Sequence, residues 1–515
     1  MAERELKQVD LLRIASERGQ KLGKSQLSQY MSGKTVPRKG VLAFLAIALG
    51  TSEDWLLGLT DDSPASSPIA SSEDEVHDNQ ATNADVPAIE VATHHPTVNA
   101  ASGMLSKEVP AMRKFDKSSK LDHVSYDVRG PALDEAMRME EDGINILKLN
   151  IGNPAPFGFR TPDEVVQDMA SQLRDTEGYS DSRGLFAARK AIMQYDQLKG
   201  IPNVTMNDIY TGNGVSDLIN LVMQSMVETG DEILVPSPDY PLWTACVNLA
   251  GGKAVHYLCD EQSEWNPDIA DIRRKVTDRT KAIVIINPNN PTGALYPVEI
   301  LQEIVEIARE HELMILSDEI YDRLVMDGLK HVSIASLAPD LFCVTYSGLS
   351  KSHMIAGYRI GWMVLSGNKT LGRDFIQGLN MLSNMRLCSN VPAQSIVQTA
   401  LGGYQSVETY LVPGGRIYEQ REFIYKALND IPGISVVKPK AAFYIFPKMD
   451  AARFNIKDDE KFALDLLHDR HILITRGGGF NWPEPDHFRI VYLPRVEVLS
   501  EAMKKFADFM KTYRQ

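Results

Sequence analysis

Residues 282–293 read AIVIINPNNPTG, residues 313–321 read LMILSDEIY, and residues 343–361 read CVTYSGLSKSHMIAGYRIG. Each begins with a short apolar run that breaks abruptly into polar, chemically capable side chains. Short apolar runs bounded by turn formers read as buried strands. Residues 232–235 (EILV) read the same way, and a helical pattern covers residues 299–311 between two of the runs. Strand–helix alternation over this length predicts an α/β domain on a mainly parallel sheet. Such sheets bind ligands in the crevice outside the carboxyl ends of their strands. Asn290, Asp318, Tyr321, Ser350 and Lys351 all fall at such ends, and Arg359 follows eight residues after the lysine.

Working outward, residues 208–210 lead into TGNGVSDL, a Gly-rich turn opening a helix. Free N–H groups and the helix dipole at such a start suit a dianion, which singles out Gly214, Val215 and Ser216. Tyr240 stands in the turn PSPDYP, Gly152 in LNIGNP, and Arg489 in the strand-like HFRIV. An arginine inside such a run needs a partner, because burying it unpaired is costly. Its planar fork matches a carboxylate. Taken singly, each signal has a plainer reading: a turn, a helix cap, a turn aromatic or a solvated lysine. Their order along the chain is what gives them weight.

The bulk properties agree with a catalytic body plus an appendage. The chain has 515 residues, 43 % of them hydrophobic, and a net charge of −14, with a mean hydropathy of −0.21. That balance disfavours the whole protein as a nucleic-acid binder. No run approaches a membrane helix and the first ten residues are charged, so no membrane association and a cytoplasmic location are expected. Cys246, Cys259, Cys343 and Cys388 are scattered and read as buried, reduced thiols, with no zinc site or other metal expected. Charge divides the chain into three: residues 1–58 carry about +3, residues 59–115 about −6, and the remainder about −11.

Residues 59–115, rich in Ser, Ala, Asp, Asn and Pro, lack a sustained apolar period and read as a disordered acidic linker. The adjacent His94 and His95 read as solvated loop residues there. Residues 1–58 show short helical patterns at 9–15, 25–31, 41–49 and 54–57, with Gly23 between the first two. Two short helices across a Gly-containing turn form a helix-turn-helix signature, whose second helix enters the DNA major groove. KSQLSQYMSGKTVP…LAIALGTSEDWLLG resembles the phage-repressor-like helix-turn-helix family. That resemblance implies Ser25, Gln26, Ser28 and Gln29 at base edges and Lys24, Lys34, Arg38 and Lys39 at phosphates, making DNA a possible partner of the head. Only seven residues precede the first helix, so the family's leading helix is truncated. The alternative is a small helical cap that binds no DNA.

From about Ser119 onward the chain resembles the class I aminotransferases of fold type I. The motifs NPNNPTG, SDEIY and GLSKSHMIAGYRIG carry that likeness in order, departing only in the bulk of Met354. The resemblance implies a large mainly parallel-sheet domain at about 161–399 and a smaller α/β domain at about 116–160 and 400–515. It implies pyridoxal 5′-phosphate bound to Lys351 as a Schiff base, with the freed lysine acting as general base. Asp318 would keep the ring nitrogen protonated, and Tyr321 and Asn290 would bond the ring's 3′-oxygen. Gly214, Val215, Ser216, Ser350 and Arg359 would cradle the phosphate, and Tyr240 would stack on the ring. Tyr179, in GYSDSRGL, would reach the phosphate of a partner subunit, so a homodimer is expected. Arg489, Gly152 and Asn290 would hold the substrate carboxylate.

Further stretches (NPAPFGF, PSPDYPLWTA, VHYLCDE and FNWPEPDHFRI) look like the bacterial glutamate–pyruvate (alanine) aminotransferases. There Tyr126 and Arg129 would belong to an arm closing over the substrate; their plainer reading is a surface helix start. The reaction implied is L-alanine + 2-oxoglutarate to pyruvate + L-glutamate. Two rivals remain: a transcription regulator that keeps the body as a ligand sensor, and a cofactor-dependent β-elimination lyase.

Overall fold

The computed structural model describes residues 8–17, 22–31, 37, 39–49, 56, 115–122, 124 and 130–515. The linker expected at 59–115 lies outside these, apart from its last residue, as do Tyr126 and Arg129. The chain forms two compact units, residues 1–110 and residues 111–515.

In the first unit, helices α1 (Gln8–Glu17), α2 (Lys24–Met31) and α3 (Lys39–Leu49) share one core. Leu11, Ala15, Leu27, Phe44 and Leu45 form it. Leu11 and Ala15 are four apart and so fall on one face of α1. In α2 only Leu27 is buried among the residues whose side chains are described; Gln26, Ser28 and Gln29 are exposed. The residues joining α1 to α2, and the side chains of Ser25, Lys34, Arg38 and Lys39, lie outside the described set.

The second unit is organised by an eight-stranded sheet. Its strands are β1 (Ile209–Gly212), β2 (Glu232–Ser237), β3 (Lys253–Asp260), β4 (Asn266–Pro267), β5 (Thr280–Ile286), β6 (Met314–Asp318), β7 (Phe342–Gly348) and β8 (Gly361–Gly367). The order across the sheet is β1-β8-β7-β6-β5-β2-β3-β4. The pairs from β7 through β3 are parallel, while β8 and β4 run antiparallel to their neighbours. The four short runs therefore form the parallel centre, as expected.

Burial on both faces explains why these strands read as unbroken apolar runs. In β5, Ile283 and Ile285 pack into one core with Leu234 and Ile315. Ala282, Val284 and Ile286 point the other way, into a core with Val235 and Leu316. Helix α6 (Val298–Glu310) follows β5 and covers the first face through Leu301, Ile304, Val305 and Ala308. That spacing is one stripe of a 3.6-residue period. Another core gathers Leu149 and Phe159 with Tyr321, Leu324, Met326, Met354 and residues from 407 to 510. There a small antiparallel sheet joins β9 (Tyr444–Ile445), β10 (Thr475–Arg476) and β11 (Phe488–Val491) in the order β9-β11-β10.

Cys246, Cys259 and Cys343 are buried free thiols, whereas Cys388 is only half-buried, beyond the end of a surface helix. Among the described residues no helix is long and apolar enough to cross a membrane.

Candidate active site

The carboxyl ends of β5, β6 and β7 open onto one cavity of about 560 Å³. After β5 the chain turns at Asn287, whose side-chain oxygen accepts from the N–H of Tyr296 at 3.0 Å. This turn presents Asn290, whose Oδ1 accepts from Nη1 of Arg489 at 2.9 Å. Arg489 is 2 % exposed. Its guanidinium lies between the rings of Tyr444 and Phe480, 4.5 Å from each centroid, and Nη2 donates to the carbonyl of Asn150. Carbonyls and aromatic faces thus hold a buried cation against the cavity wall.

β6 delivers Asp318. Its Oδ2 accepts from the indole Nε1 of Trp243 at 3.2 Å, and its Oδ1 accepts from the backbone N–H of Ile320 at 3.2 Å. Burial pushes its carboxyl up to about 6, and these bonds oppose the rise. Three residues on, the Tyr321 hydroxyl lies 2.6 Å from that of Tyr444. Below the turn, Lys199 pairs with Glu319 and, at 3.0 Å, with Asp322. The hydroxyls of Ser317 and Ser333 donate to Glu319 at 2.9 and 2.7 Å. These bonds fasten the loop that carries Asp318 and Tyr321.

β7 runs directly into the short helix α7 (Leu349–Ser352), which places Ser350 and Lys351 on the cavity wall. The Lys351 ammonium donates to the Gly152 carbonyl at 2.9 Å and pairs with no carboxylate among the described residues. Opposite, β1 ends in a glycine turn at the start of helix α4 (Val215–Met226). Gly214 has φ +84°, and a side chain there would collide with the Arg359 guanidinium. Arg359 is held by the carbonyls of Ala356 and Asn213 at 2.8 and 3.0 Å. Its charge is uncompensated by any carboxylate among the described residues. A helix N-terminus facing an arginine makes a ready anion site.

The structure therefore gathers Gly152, Val215, Ser216, Tyr240, Asn290, Asp318, Tyr321, Ser350, Lys351, Arg359 and Arg489 around one space, with Gly214 behind Arg359. Tyr179 is 83 % exposed and does not line the cavity. Sequence reasoning missed Trp243, Tyr444 and Asn150. Asn150 and Trp243 stand within the stretches LNIGNP and PSPDYPLWTA but carry no chemical signal of their own there, and Tyr444 stands in neither; each reaches the site through tertiary packing.

A sheet crevice with a lysine, a buried carboxylate, an anion cradle and an inward arginine defines a group-transfer site of the fold type I kind. Residues 144–506 match the family Aminotransferase class I and II, and the chain belongs to it. It is 59 % identical over 404 residues to the glutamate-pyruvate aminotransferase AlaA of Escherichia coli, covering 78 % of this chain and all of that protein. It is 50 % identical over 428 residues to the alanine aminotransferase of Mycobacterium tuberculosis, covering 83 % and 98 %. Among solved structures, an aminotransferase from Escherichia coli superposes with a TM-score of 0.78 at 59 % identity, over 78 % of this chain and all of that one. An alanine aminotransferase from Pyrococcus furiosus gives 0.74 at 40 %, over 77 % and 100 %.

Proposed function

We propose that this chain transfers the amino group of L-alanine to 2-oxoglutarate, yielding pyruvate and L-glutamate, with pyridoxal 5′-phosphate as cofactor. The observation that carries the reading is the convergence of Lys351, Asp318 and Arg489 on one cavity that Val215, Ser216, Ser350 and Arg359 also line. The names borne by relatives at 50–59 % identity support alanine as the donor.

The donor set fits the cofactor. The cradle offers the N-terminus of α4, Ser350 and an Arg359 without a carboxylate partner among the described residues, which suits a phosphate dianion. The cavity supplies an amine for the aldehyde and a carboxylate for the ring nitrogen. When bound, the cofactor supplies an electron sink for the bond-breaking step at the substrate Cα. Lys351 would hold it covalently through its amine, and as a free amine would carry the proton to and from the substrate Cα. Asp318 holds the ring nitrogen's proton, and Tyr321 and Asn290 hold the 3′-oxygen. Tyr240 covers the ring face. Arg489, aided by Asn290 and the Gly152 backbone, binds the carboxylate that amino and keto acids share. Tyr126 and Arg129 would close over the substrate. Purified protein assayed with a panel of amino donors against 2-oxoglutarate tests this. Alanine should lead the panel in glutamate release; keto-acid and ammonia release without an acceptor would favour the elimination chemistry instead.

Two further readings accompany it. A homodimer is proposed because Tyr179 is 83 % exposed and does not line its own cavity, as a residue lent to a partner subunit would be. DNA binding by the head is supported by the three helices on one core and the exposed polar residues Gln26, Ser28 and Gln29 of α2. A gel shift of the full chain against fragments of its own locus at two salt concentrations tests that reading; phosphate contacts make binding fall steeply with salt.

A further inference from the structure

We propose that Trp243 is a positioning residue for Asp318: its indole N–H fixes the carboxylate's orientation toward the cofactor and stabilises its charged form. This deepens the reading above and rests on Asp318 facing the cofactor's ring nitrogen.

Trp243 lies in helix α5 (Leu242–Leu249), beside the β2 edge of the site, and is fully buried. Its only polar group is the indole N–H, a donor that can neither accept nor ionise. That group points at Oδ2 of Asp318, 3.2 Å away. The ring cannot swing aside, because it packs edge-on against Tyr346 with centroids 5.2 Å apart at 84°. Tyr346 is itself the residue of β7 paired in register with Asp318. The indole, the phenol and the carboxylate are thus locked to one another across two elements.

The two oxygens of Asp318 are treated differently. Oδ1 takes a backbone N–H from Ile320, two residues on, and Oδ2 takes the side-chain donor. A proton on Oδ2 would set donor against donor, so the indole favours the ionised acid. Burial and the neighbouring Glu319 push the carboxyl up, while Trp243, the Ile320 N–H and the Lys351 ammonium pull it down, leaving it about 6. The phenols of Tyr321 and Tyr346 also face it, and burial raises both, so they stay neutral in the working range. Among the described residues the indole is therefore the one side-chain hydrogen bond to this carboxylate, as distinct from a charge at longer range, that sets the balance.

The probe is 4-deoxypyridoxine 5′-phosphate, which keeps the ring nitrogen and phosphate but has no aldehyde for Lys351. Its dissociation constant is measured between pH 5 and 9 for the wild type, Trp243→Phe and Trp243→His. Wild-type affinity should fall as pH drops through about 6. Loss of one hydrogen bond to a charged group should move that limb up by about one to two pH units in Trp243→Phe. Trp243→His, which retains a ring N–H, should recover at least half of the shift. An unmoved limb in Trp243→Phe overturns the proposal, and so does an equal shift in Trp243→His, which would mean lost packing. Should Trp243→Phe fail to fold, the ¹⁵N-indole resonance of Trp243 decides in cofactor-free protein. It should titrate with a midpoint near 6 and be flat in Asp318→Asn; a flat wild-type resonance overturns the proposal. If instead the resonance titrates but probe affinity shows no limb in any variant, Asp318 does not face the ring, and the functional reading fails separately.

Discussion

Replacing Arg489 by lysine should damage both halves of the reaction to the same degree. In the structure the guanidinium is 2 % exposed, bonds Asn290 at 2.9 Å and the Asn150 carbonyl, and is sandwiched by Tyr444 and Phe480. A lysine ammonium keeps the charge but loses the fork and most of the stacking. Losing one of two charge-assisted bonds to the substrate carboxylate costs about 1.5–3 kcal/mol. That is roughly 10- to 150-fold in kcat/KM. The carboxylate is common to alanine, pyruvate, glutamate and 2-oxoglutarate, so each should suffer by a similar factor, mostly in KM. The assay is steady-state kinetics in both directions with the cofactor saturating, checked by an unchanged visible spectrum of the bound cofactor. A loss confined to the five-carbon acids would mean that Arg489 reads a side-chain carboxylate. The common carboxylate would then have to sit elsewhere.

Four other outcomes are expected. Lys351→Ala should abolish the covalent link, so that borohydride reduction followed by peptide mapping finds no pyridoxyl group on any lysine, while Lys351 alone is labelled in the wild type. Asp318→Asn should keep the cofactor, as seen in its absorbance, yet lose turnover by on the order of 10²–10³. Gly214→Ala carries a side chain into the Arg359 guanidinium; displacing that cation from the cradle loses a charge-assisted bond of about 1.5–3 kcal/mol, which should weaken cofactor binding by roughly 10- to 150-fold in a titration of the cofactor-free protein. Asp196 is buried with Oδ2 lacking a hydrogen-bond partner among the described residues, and burial pushes its carboxyl from 3.8 to about 7. The folded state then holds this proton more tightly than the unfolded chain, so its contribution to stability falls as pH rises from 3.8 through 7. Asp196→Asn should match the wild type in urea unfolding near pH 4 and exceed it at pH 8.

The parallel centre of the sheet was legible because both faces of each strand are covered. Ile283 and Ile285 on one side and Val284 and Ile286 on the other leave no polar alternation to blur the run. The residues at the strand ends were legible for the same reason, since Asp318 and Lys351 break an apolar pattern abruptly. Strand ends were shorter in the reading than in the fold: β2 continues through Pro236 and Ser237, which still pair with Tyr257 and Leu258. No local pattern announces Trp243, which sits in a short helix with no exposed residue, or Tyr444, which is one aromatic in the run AFYIF. Their roles arise from neighbours 75 and 123 residues away. Cys388 reads like the other cysteines by type, yet it stays half-buried because it follows Leu387 out of a helix into an exposed turn.

The cavity draws Gly152, Asn290, Lys351 and Arg489 from points far apart in the chain, and this has a meaning in time. A ribosome elongating at about 5–20 residues per second makes the lysine and the anion cradle before the arginine. The interval between residues 359 and 489 is then on the order of ten seconds. Strand β8, which joins β1 to β7, is made just after Arg359, so the cradle and the lysine can be brought together while the arginine among the three groups assigned to the substrate carboxylate is still missing. The groups assigned to the cofactor are therefore synthesised first and the arginine assigned to the substrate carboxylate last, so the site is completed from the cofactor's side outward.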